Sequence, residues 1–509
     1  MRVCVLTAVQ AAERDRAAID AGTPSVELMR RAGQRAARTV LERLPSECAR
    51  GVCVFTGPGN NGGDGWIVAS ELQQSGVAVW VDAVSPPATS DARWAATTLI
   101  PVPRAAGKSP GVVIDALLGT GAHGPARAAV ADAMDRVAAM RHAGAKVVSL
   151  DLPSGLNATT GEATKTVRAD LTLSFGHLKR GQLARRDLCG ELMVLDIGLL
   201  ADQSHDPMLV DAQHVREAVP PIAASAHKGT RKRVLIVGGF QGMAGASMIA
   251  AAGAFRSGVG MVRFCAQPES IVALQCGCPQ ATALPWPDSA VAWDAIDLAW
   301  PHAVLIGPGV GTDPAAGERV TTWLSRWRGP VVVDADVFTV FAGAPQALGD
   351  LLQGRPAVAT PHAAEAARLL GGSAAGVAAD PYSSAALLAS RIGAAVLLKG
   401  VPTVVATPDG GVWVVPRGTP ALATGGSGDL LSGIVVTLLA QMTDAAQAAV
   451  CGAWVHGRAA ELAGAGRPIR GVTLTDIMQA LAGVWNAEEP ALGPGVLAYL
   501  PAVGEAPRA

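Results

Sequence analysis

The 509-residue chain is predicted to be an α/β protein with mainly parallel sheets, divided into two different α/β domains. Three observations predict this. Short β-branched runs alternate with Ala-rich helical stretches throughout. Several runs end in glycine or an acidic residue, and in open α/β sheets ligands gather at those carboxyl ends. The chain is too long for one ordinary core, yet 50% of its residues are apolar and only 16% are charged, ample for burial.

Taken in order, the first half offers strands in GVCVFTG (51–57), VAVWVDAV (77–84), GVVIDALLG (111–119), KVVSLDLP (146–153), ADLTLSFG (169–176) and GELMVLDIG (190–198). The pattern lapses over 199–230, where Pro220-Pro221 interrupts helix or central-strand formation, so a boundary is expected near 205–225. It resumes in RVLIVGGF (233–240), GMVRFCA (260–266), HAVLIGPG (302–309), PVVVDAD (330–336), PAVAT (356–360), AAVLLKG (394–400) and PTVVATPDGGVWVV (402–415). The apolar run LLSGIVVTLLAQM (430–442) falls short of the ~18–20 residues of a membrane span and reads as a buried helix. Domains are assigned to residues 1–215 and 216–495, without an internal repeat.

Net charge is −1 with no long basic run, so neither nucleic acid nor an anionic membrane is favoured as a partner. Glu13, Arg14, Asp15 and Arg16 make the N-terminus a poor signal peptide. The eight cysteines are scattered; only Cys276 and Cys278 are close-set, and no second pair at zinc spacing accompanies them. Reduced thiols in a cytoplasmic protein are expected. A homo-oligomer is also expected, although no segment fixes its size.

Two glycine-rich stretches carry the chemistry. In LATGGSGDLLSG (422–433), glycines at a loop-to-helix junction leave backbone N–H groups free to face an anion, with the helix dipole adding to the field. Asp429 then removes a proton from a hydroxyl, or simply caps the helix; the motif alone leaves both open. The stretch TGPGNNGGDGW (56–66) has the look of a phosphate cradle but adds two amides, Asn60 and Asn61, and the acid Asp64. Its spacing is not that of a G-x-G-x-x-G dinucleotide fingerprint.

Read with the segments upstream, the second half resembles the ribokinase-like superfamily, and within it the NAD(P)H-hydrate dehydratases. The resemblance rests on VLIGPGVG, VVVDADVF, ATPHAAEAARLL, LLKGVPTVVATPDG and GGSGD in that order. It implies a ribokinase-like α/β fold that phosphorylates the C6 hydroxyl of hydrated NADH or NADPH, with ADP and Mg²⁺. By family position Asp429 is the general base, and Gly426, Ser427 and Gly428 form the anion hole. Lys399, Gly400, Val401, Pro402, Thr403 and Gly428 match nucleotide positions. Ala246, Gly311, the run His362, Ala363, Ala364, Glu365, Ala366, Ala367 and Arg368, and Asp429 match hydrate positions. The chain departs from the family in PHAAE for PHPGE and in Ser427 for a frequent methionine.

The first half resembles the NAD(P)H-hydrate epimerases of the YjeF N-terminal type through GPGNNGGDGW, VVIDALLGTGAHGP, SLDLPSGLNATTG and LTLSFGHLKRG. That implies a Rossmann-like three-layer α/β/α fold. Asn60, Asn61, Gly62, Gly63 and Asp64, the run Gly119, Thr120, Gly121, Ala122, His123, Gly124 and Pro125, and Asp151 would line the hydrate site. Asn61, Asp115 and Ser154 match ligand positions for K⁺. Asp151 is the first choice for the acid/base group and Asp64 the second, while Lys179 either reaches the site or lies on the surface. Fusion of the two halves is the arrangement of bifunctional NAD(P)H-hydrate repair enzymes. The competing readings are a ribokinase-like vitamin-alcohol kinase with an accessory nucleotide-binding domain, and a first half that binds without catalysing.

Overall fold

Alternate residues of Val52–Thr56 face opposite sides of a sheet, and both sides are buried. Val52 and Val54 pack with Leu28, Ala36, Val68 and Leu72 on one face, while Cys53 and Phe55 pack with Val130, Met134 and Val137 on the other. Helices therefore cover both faces. The computed structural model describes residues 3–100, 109–122, 124–199, 206–486 and 491–503. The chain divides into two compact units, one comprising Met1–Met208 with Pro490–Ala509, the other Leu209–Glu489.

In the first unit seven strands run in the spatial order Val496–Leu500, Glu191–Leu195, Leu171–Phe175, Lys146–Leu150, Val112–Ala116, Val52–Thr56 and Val79–Ala83. All neighbours are parallel except Val496–Leu500, which joins Glu191–Leu195 antiparallel. A separate two-residue parallel pair joins Val5–Leu6 to Leu178–Lys179. From Val52–Thr56 the chain moves outward to Val79–Ala83 and then returns to Val112–Ala116 on the opposite side. This reversal opens a crevice at the carboxyl ends of Val52–Thr56 and Val112–Ala116.

The second unit repeats the principle with different connections. The ten strands of its sheet run Thr282–Pro285, Met261–Ala266, Arg233–Val237, Ala303–Ile306, Val331–Val333, Ala357–Ala359, Ala395–Leu398, Thr403–Ala406, Val412–Val415 and Met208–Leu209, the last beginning at the final residue of the first unit's N-terminal segment. The reversal falls between Arg233–Val237 and Ala303–Ile306, and the pairs made by Thr403–Ala406 are antiparallel. The helix Ser427–Met442 buries almost its whole circumference. It lies close to helix Ala244–Arg256 because both are notched by glycine: a Cβ on Gly433 would stand 1.9 Å from the Ala250 carbonyl oxygen. Among the described residues no helix is long and apolar enough to cross a membrane.

Candidate active sites

The crevice of the first unit is a cleft of about 600 Å³. Asn60, Asn61, Asp64, Gly119, Thr120, Gly121, Ala122 and Asp151 line it, so the structure brings together predicted residues spread over some ninety positions of sequence. Gly124 and Pro125 are exposed and do not line it, and His123 lies outside the described residues. The glycines divide by role. A Cβ on Gly57 would stand 1.9 Å from the Leu117 carbonyl oxygen, and one on Gly62 1.9 Å from that of Gly57. Gly63 is crowded by Met29 and Gly65 by Ala116. These glycines serve the approach of protein to protein rather than forming a phosphate cradle, and Gly62 and Gly63, expected to line the hydrate site, do not line the cleft. Open space remains at Gly59 and Gly121.

Behind the cleft the three predicted metal-binding residues form one linked network. Asp115, wholly buried, accepts from Ser149 Oγ (2.8 Å), Ser154 Oγ (2.6 Å), the Ser154 amide (2.9 Å) and the Leu117 amide (3.3 Å). Burial pushes its carboxyl up from the usual aspartate range, and the donors of Ser154 pull it back. Asn61 Nδ2 donates to the Leu118 carbonyl at 2.9 Å, while its Oδ1 is buried without a hydrogen-bond partner. Asn61 is linked through the Leu118 backbone to the Ser154–Asp115 pair, and an unpaired amide oxygen, a hydroxyl and a carboxylate are donor types that fit a hard monovalent cation.

One cluster of charged residues lining the cleft is made by Asp64, Asp151 and Lys179. Asp151 adopts φ +63°, rare for a residue with a side chain. It is held there by Gln182 Nε2, which donates to its carbonyl at 2.6 Å, and by an ion pair with Lys179. Lys179 is therefore not a surface lysine. It is 3% exposed, and its ammonium also donates to Ser174 Oγ (3.2 Å) and the His177 carbonyl (3.3 Å). Burial and then the charges of Asp151 and Asp15 push the Asp64 carboxyl well above the usual range.

In the second unit the first turn of helix Ser427–Met442 faces the strand ends. Gly426 caps it at φ +85°, a left-handed conformation that suits glycine. The Ser427 amide turns back to the Thr424 carbonyl at 3.3 Å, and its buried hydroxyl lies 3.3 Å from His456 Nε2. The amides of Gly428 and Asp429 are therefore better placed for an anion than that of Ser427. Asp429 is pushed up to about 7, by burial first and then by Asp334, with Lys399 opposing.

Lys399 occupies the middle of this site. Its Nζ lies 3.0 Å from Asp334 Oδ1 and 3.6 Å from Glu365 Oε2. Burial works against its charge, but Asp334 and Glu365 outweigh that and hold it above the usual lysine range. A Cβ on Gly428 would come within 3.3 Å of the ammonium. In the remainder of its motif Gly400 and Val401 are exposed, Val401 by 77%, while Pro402 is buried and Thr403 opens the strand Thr403–Ala406. Asp336 fixes the other side of the site by accepting from the Gly311 amide at 2.9 Å. Ala246 lies in the first turn of helix Ala244–Arg256.

His362 has a structural duty not evident from sequence. Its Nδ1 accepts from the Ala364 and Glu365 amides, while Glu365 Oε2 accepts from the His362 amide at 2.7 Å, a reciprocal cap of helix Ala363–Leu370. Within the run His362–Arg368, Ala366 and Ala367 are buried and His362 and Arg368 exposed, so the seven residues do not present one continuous surface. Sequence reasoning also missed Asp334, Asp336 and His456 here, and Asp15 in the first unit. Among the described residues no group of three or more His, Cys, Asp or Glu is disposed to hold a metal, the Cys276–Cys278 pair included.

Two family models match the chain. The YjeF-related protein N-terminus matches residues 25–181, and NAD(P)H-hydrate dehydratase matches residues 234–482. A bifunctional NAD(P)H-hydrate repair enzyme of Moorella thermoacetica is 36% identical across 94% of this chain and 96% of its own length. The chain belongs to the bifunctional NAD(P)H-hydrate repair enzymes. A second member, from Escherichia coli, is 34% identical over 92% of this chain and 91% of its own. Among solved structures, an ADP/ATP-dependent NAD(P)H-hydrate dehydratase from Bacillus subtilis, co-crystallised with ATP and Mg²⁺, covers 54% of this chain at 27% identity and a TM-score of 0.47.

Proposed function

We propose that the chain restores hydrated NADH and NADPH through two separate reactions. The first unit interconverts the R and S hydrates, and the second dehydrates the S form at the expense of ADP, releasing AMP and phosphate. The observation that carries this reading is Asp429, held near 7 at a helix tip beside free amides and a buried ammonium. A carboxyl at that value is half ionised at neutral pH, which suits a general base acting on an alcohol.

In the second unit Asp429 takes the proton of the C6 hydroxyl as that oxygen bonds to the terminal phosphorus of ADP and the bond to AMP breaks. The amides of Gly428 and Asp429, the helix dipole and Lys399 oppose the charge on the transferring group. The C6–O bond then breaks as the ring nitrogen supplies the electron pair, phosphate departs in place of the poorer leaving group hydroxide, and the resulting cation gives up a proton from C5 to phosphate or solvent, which forms the C5–C6 double bond of the dihydropyridine. Lys399 acts here from within the anion site, while Gly400 to Thr403 meet the nucleotide. The protein's described residues offer no cage for Mg²⁺, so the ion would arrive on the nucleotide phosphates, whose charge it neutralises.

In the first unit Asp151 and Asp64 handle the proton as the hemiaminal at C6 opens and closes on the other face. Asn61, Asp115 and Ser154 would hold K⁺, which when bound supplies positive charge beside the hydrate. The loop Gly119–Ala122 receives the phosphates, with Gly121 affording room for close approach. The deciding experiment mixes purified protein with both hydrate epimers and follows the absorbance of reduced nicotinamide, with ADP and ATP added separately. Recovery of both epimers is expected. A stable phosphorylated alcohol without regained absorbance would favour a kinase instead.

A further inference from the structure

The first unit's cleft has a wall that comes from outside the family match, which begins at residue 25. Ala11, Ala12, Asp15 and Ile19, on one face of helix Ala8–Asp20, line the cleft. The helix is fixed in place at several points. The strand Val5–Leu6 before it pairs in register with Leu178–Lys179, so that Leu6 lies beside Lys179 itself. Thr7 and Gln10 cap the helix reciprocally, the Ala8 amide donates to Thr159 Oγ1 at 3.0 Å, and Arg14 makes a buried ion pair with Asp206. Asp15, next to Arg14 on the helix, is thereby aimed into the cleft while remaining open to solvent at its mouth.

We propose that Asp15 is a further catalytic residue of the epimerase site, a carboxyl that exchanges a proton with the C6 oxygen of the hydrate. The inference rests on the epimerase reading of this unit. Among the described residues, Asp151 has its ion-pair partner in Lys179, whereas neither Asp15 nor Asp64 has an ion pair. The charged groups that act on Asp15 come from three other elements: Lys179, Asp151 and Asp64. Loss of surrounding water within the cleft pushes Asp15 up to about 6, with Lys179 opposing and Asp151 assisting. A group titrating there is available in both protonation states near neutrality, as a proton exchanger requires.

The step balances without a further reagent. Asp15 in its acid form gives a proton to the C6 oxygen, the C6–O bond breaks with release of water, and the lone pair of the ring nitrogen closes a carbon–nitrogen double bond. Water then adds to C6 from the opposite face and its proton passes to a cleft carboxylate, Asp15 or Asp64, which restores the proton count. Asp151 shares this proton traffic and, while paired with Lys179, also sets negative charge facing the transient cation.

The test uses the full-length protein, separated R and S hydrates, and excess ADP. Asp15→Asn is expected to slow conversion of R to S by about 10², while dehydration of supplied S hydrate, carried out by the other unit, stays unchanged. The unmodified protein should lose epimerase rate as pH rises above about 6, and Asp15→Asn should flatten that limb. Asp15→Glu, which keeps the carboxyl, should recover part of the rate and the limb. Asp15→Asn within threefold of the unmodified rate (about 0.5 in log rate, far below a lost general acid) overturns the assignment. So do equal losses in the Asn and Glu variants with an unaltered pH profile, because shape alone would then matter. Failure of the unmodified protein to interconvert the epimers refutes the epimerase reading itself, a result that cannot be confused with either of these.

Discussion

Asp334→Asn tests the electrostatics of the dehydratase site directly. Asp429 is raised from the ordinary aspartate value of 3.8 to about 7, with burial the first cause and Asp334 the second. The substitution removes that negative charge. It also releases Lys399 from its 3.0 Å contact, so the ammonium is freer to attract Asp429. Both changes favour the ionised base. Loss of one nearby like charge in a partly desolvated site moves a titration by roughly one pH unit, or ~1.4 kcal/mol. With the base at about 7, roughly a tenth of it is ionised at pH 6; with the base at about 6, roughly half is.

The assay is kcat/KM for S hydrate with ADP across the acid limb, each profile scaled to its own plateau. Relative activity at pH 6 should rise about fivefold and relative activity at pH 8 should scarcely change. Scaling matters because the proposed mechanism also sets Lys399 against the phosphoryl group, so the plateau itself is expected to fall. An acid limb that stays in place, or moves to higher pH, would refute the claim that Asp334 helps to set the basicity of Asp429.

Other outcomes follow from the same geometry. A carboxyl raised on folding contributes stability below its unfolded value and loses it as pH rises through about 7, so Asp429→Asn should gain over the unmodified protein with increasing pH, by at most a few kcal/mol. Urea unfolding at acidic and neutral pH checks this, and a pH-independent difference contradicts it. Asp151→Ala should leave dehydration of S hydrate intact while reducing use of the R hydrate to its uncatalysed rate, read as two phases of absorbance recovery. Gly57→Ala forces a methyl to 1.9 Å from a backbone oxygen and should cost several kcal/mol or prevent folding of the first unit. Gly121→Ala meets open space and should change stability by less than about 0.5 kcal/mol, as thermal unfolding will show.

Strands with a sustained apolar pattern were legible in sequence because burial on both faces leaves a near-continuous signal. Each of the thirteen runs read from the sequence up to 406 contains a strand, and the last run, 402–415, divides into a hairpin of two. Val5–Leu6 and Leu178–Lys179 escaped because two residues carry no periodicity, and their stability comes from each other across the fold. Glycine identities were legible but not their purpose: the same residue type leaves open space at Gly121 and allows backbone contact at Gly57. Lys179 could not be placed from its neighbours, since its partners Asp151, Ser174 and the His177 carbonyl converge only once two strand ends and a turn are assembled. His362 was read for its place in a motif, whereas its ring also organises a helix start through local amides. Asp15 carried no signal because its role depends on a helix face turned towards residues more than forty positions away.

The strand Val496–Leu500 gives the molecule an order of assembly. All of Leu209–Glu489 is synthesised before this strand can reach Glu191–Leu195, so the larger unit has its full set of strands while the smaller one still has a bare border. A ribosome stalled near residue 490 would leave the Glu191–Leu195 backbone open to pairing with a stranger, a hazard that ends only when Val496–Leu500 emerges.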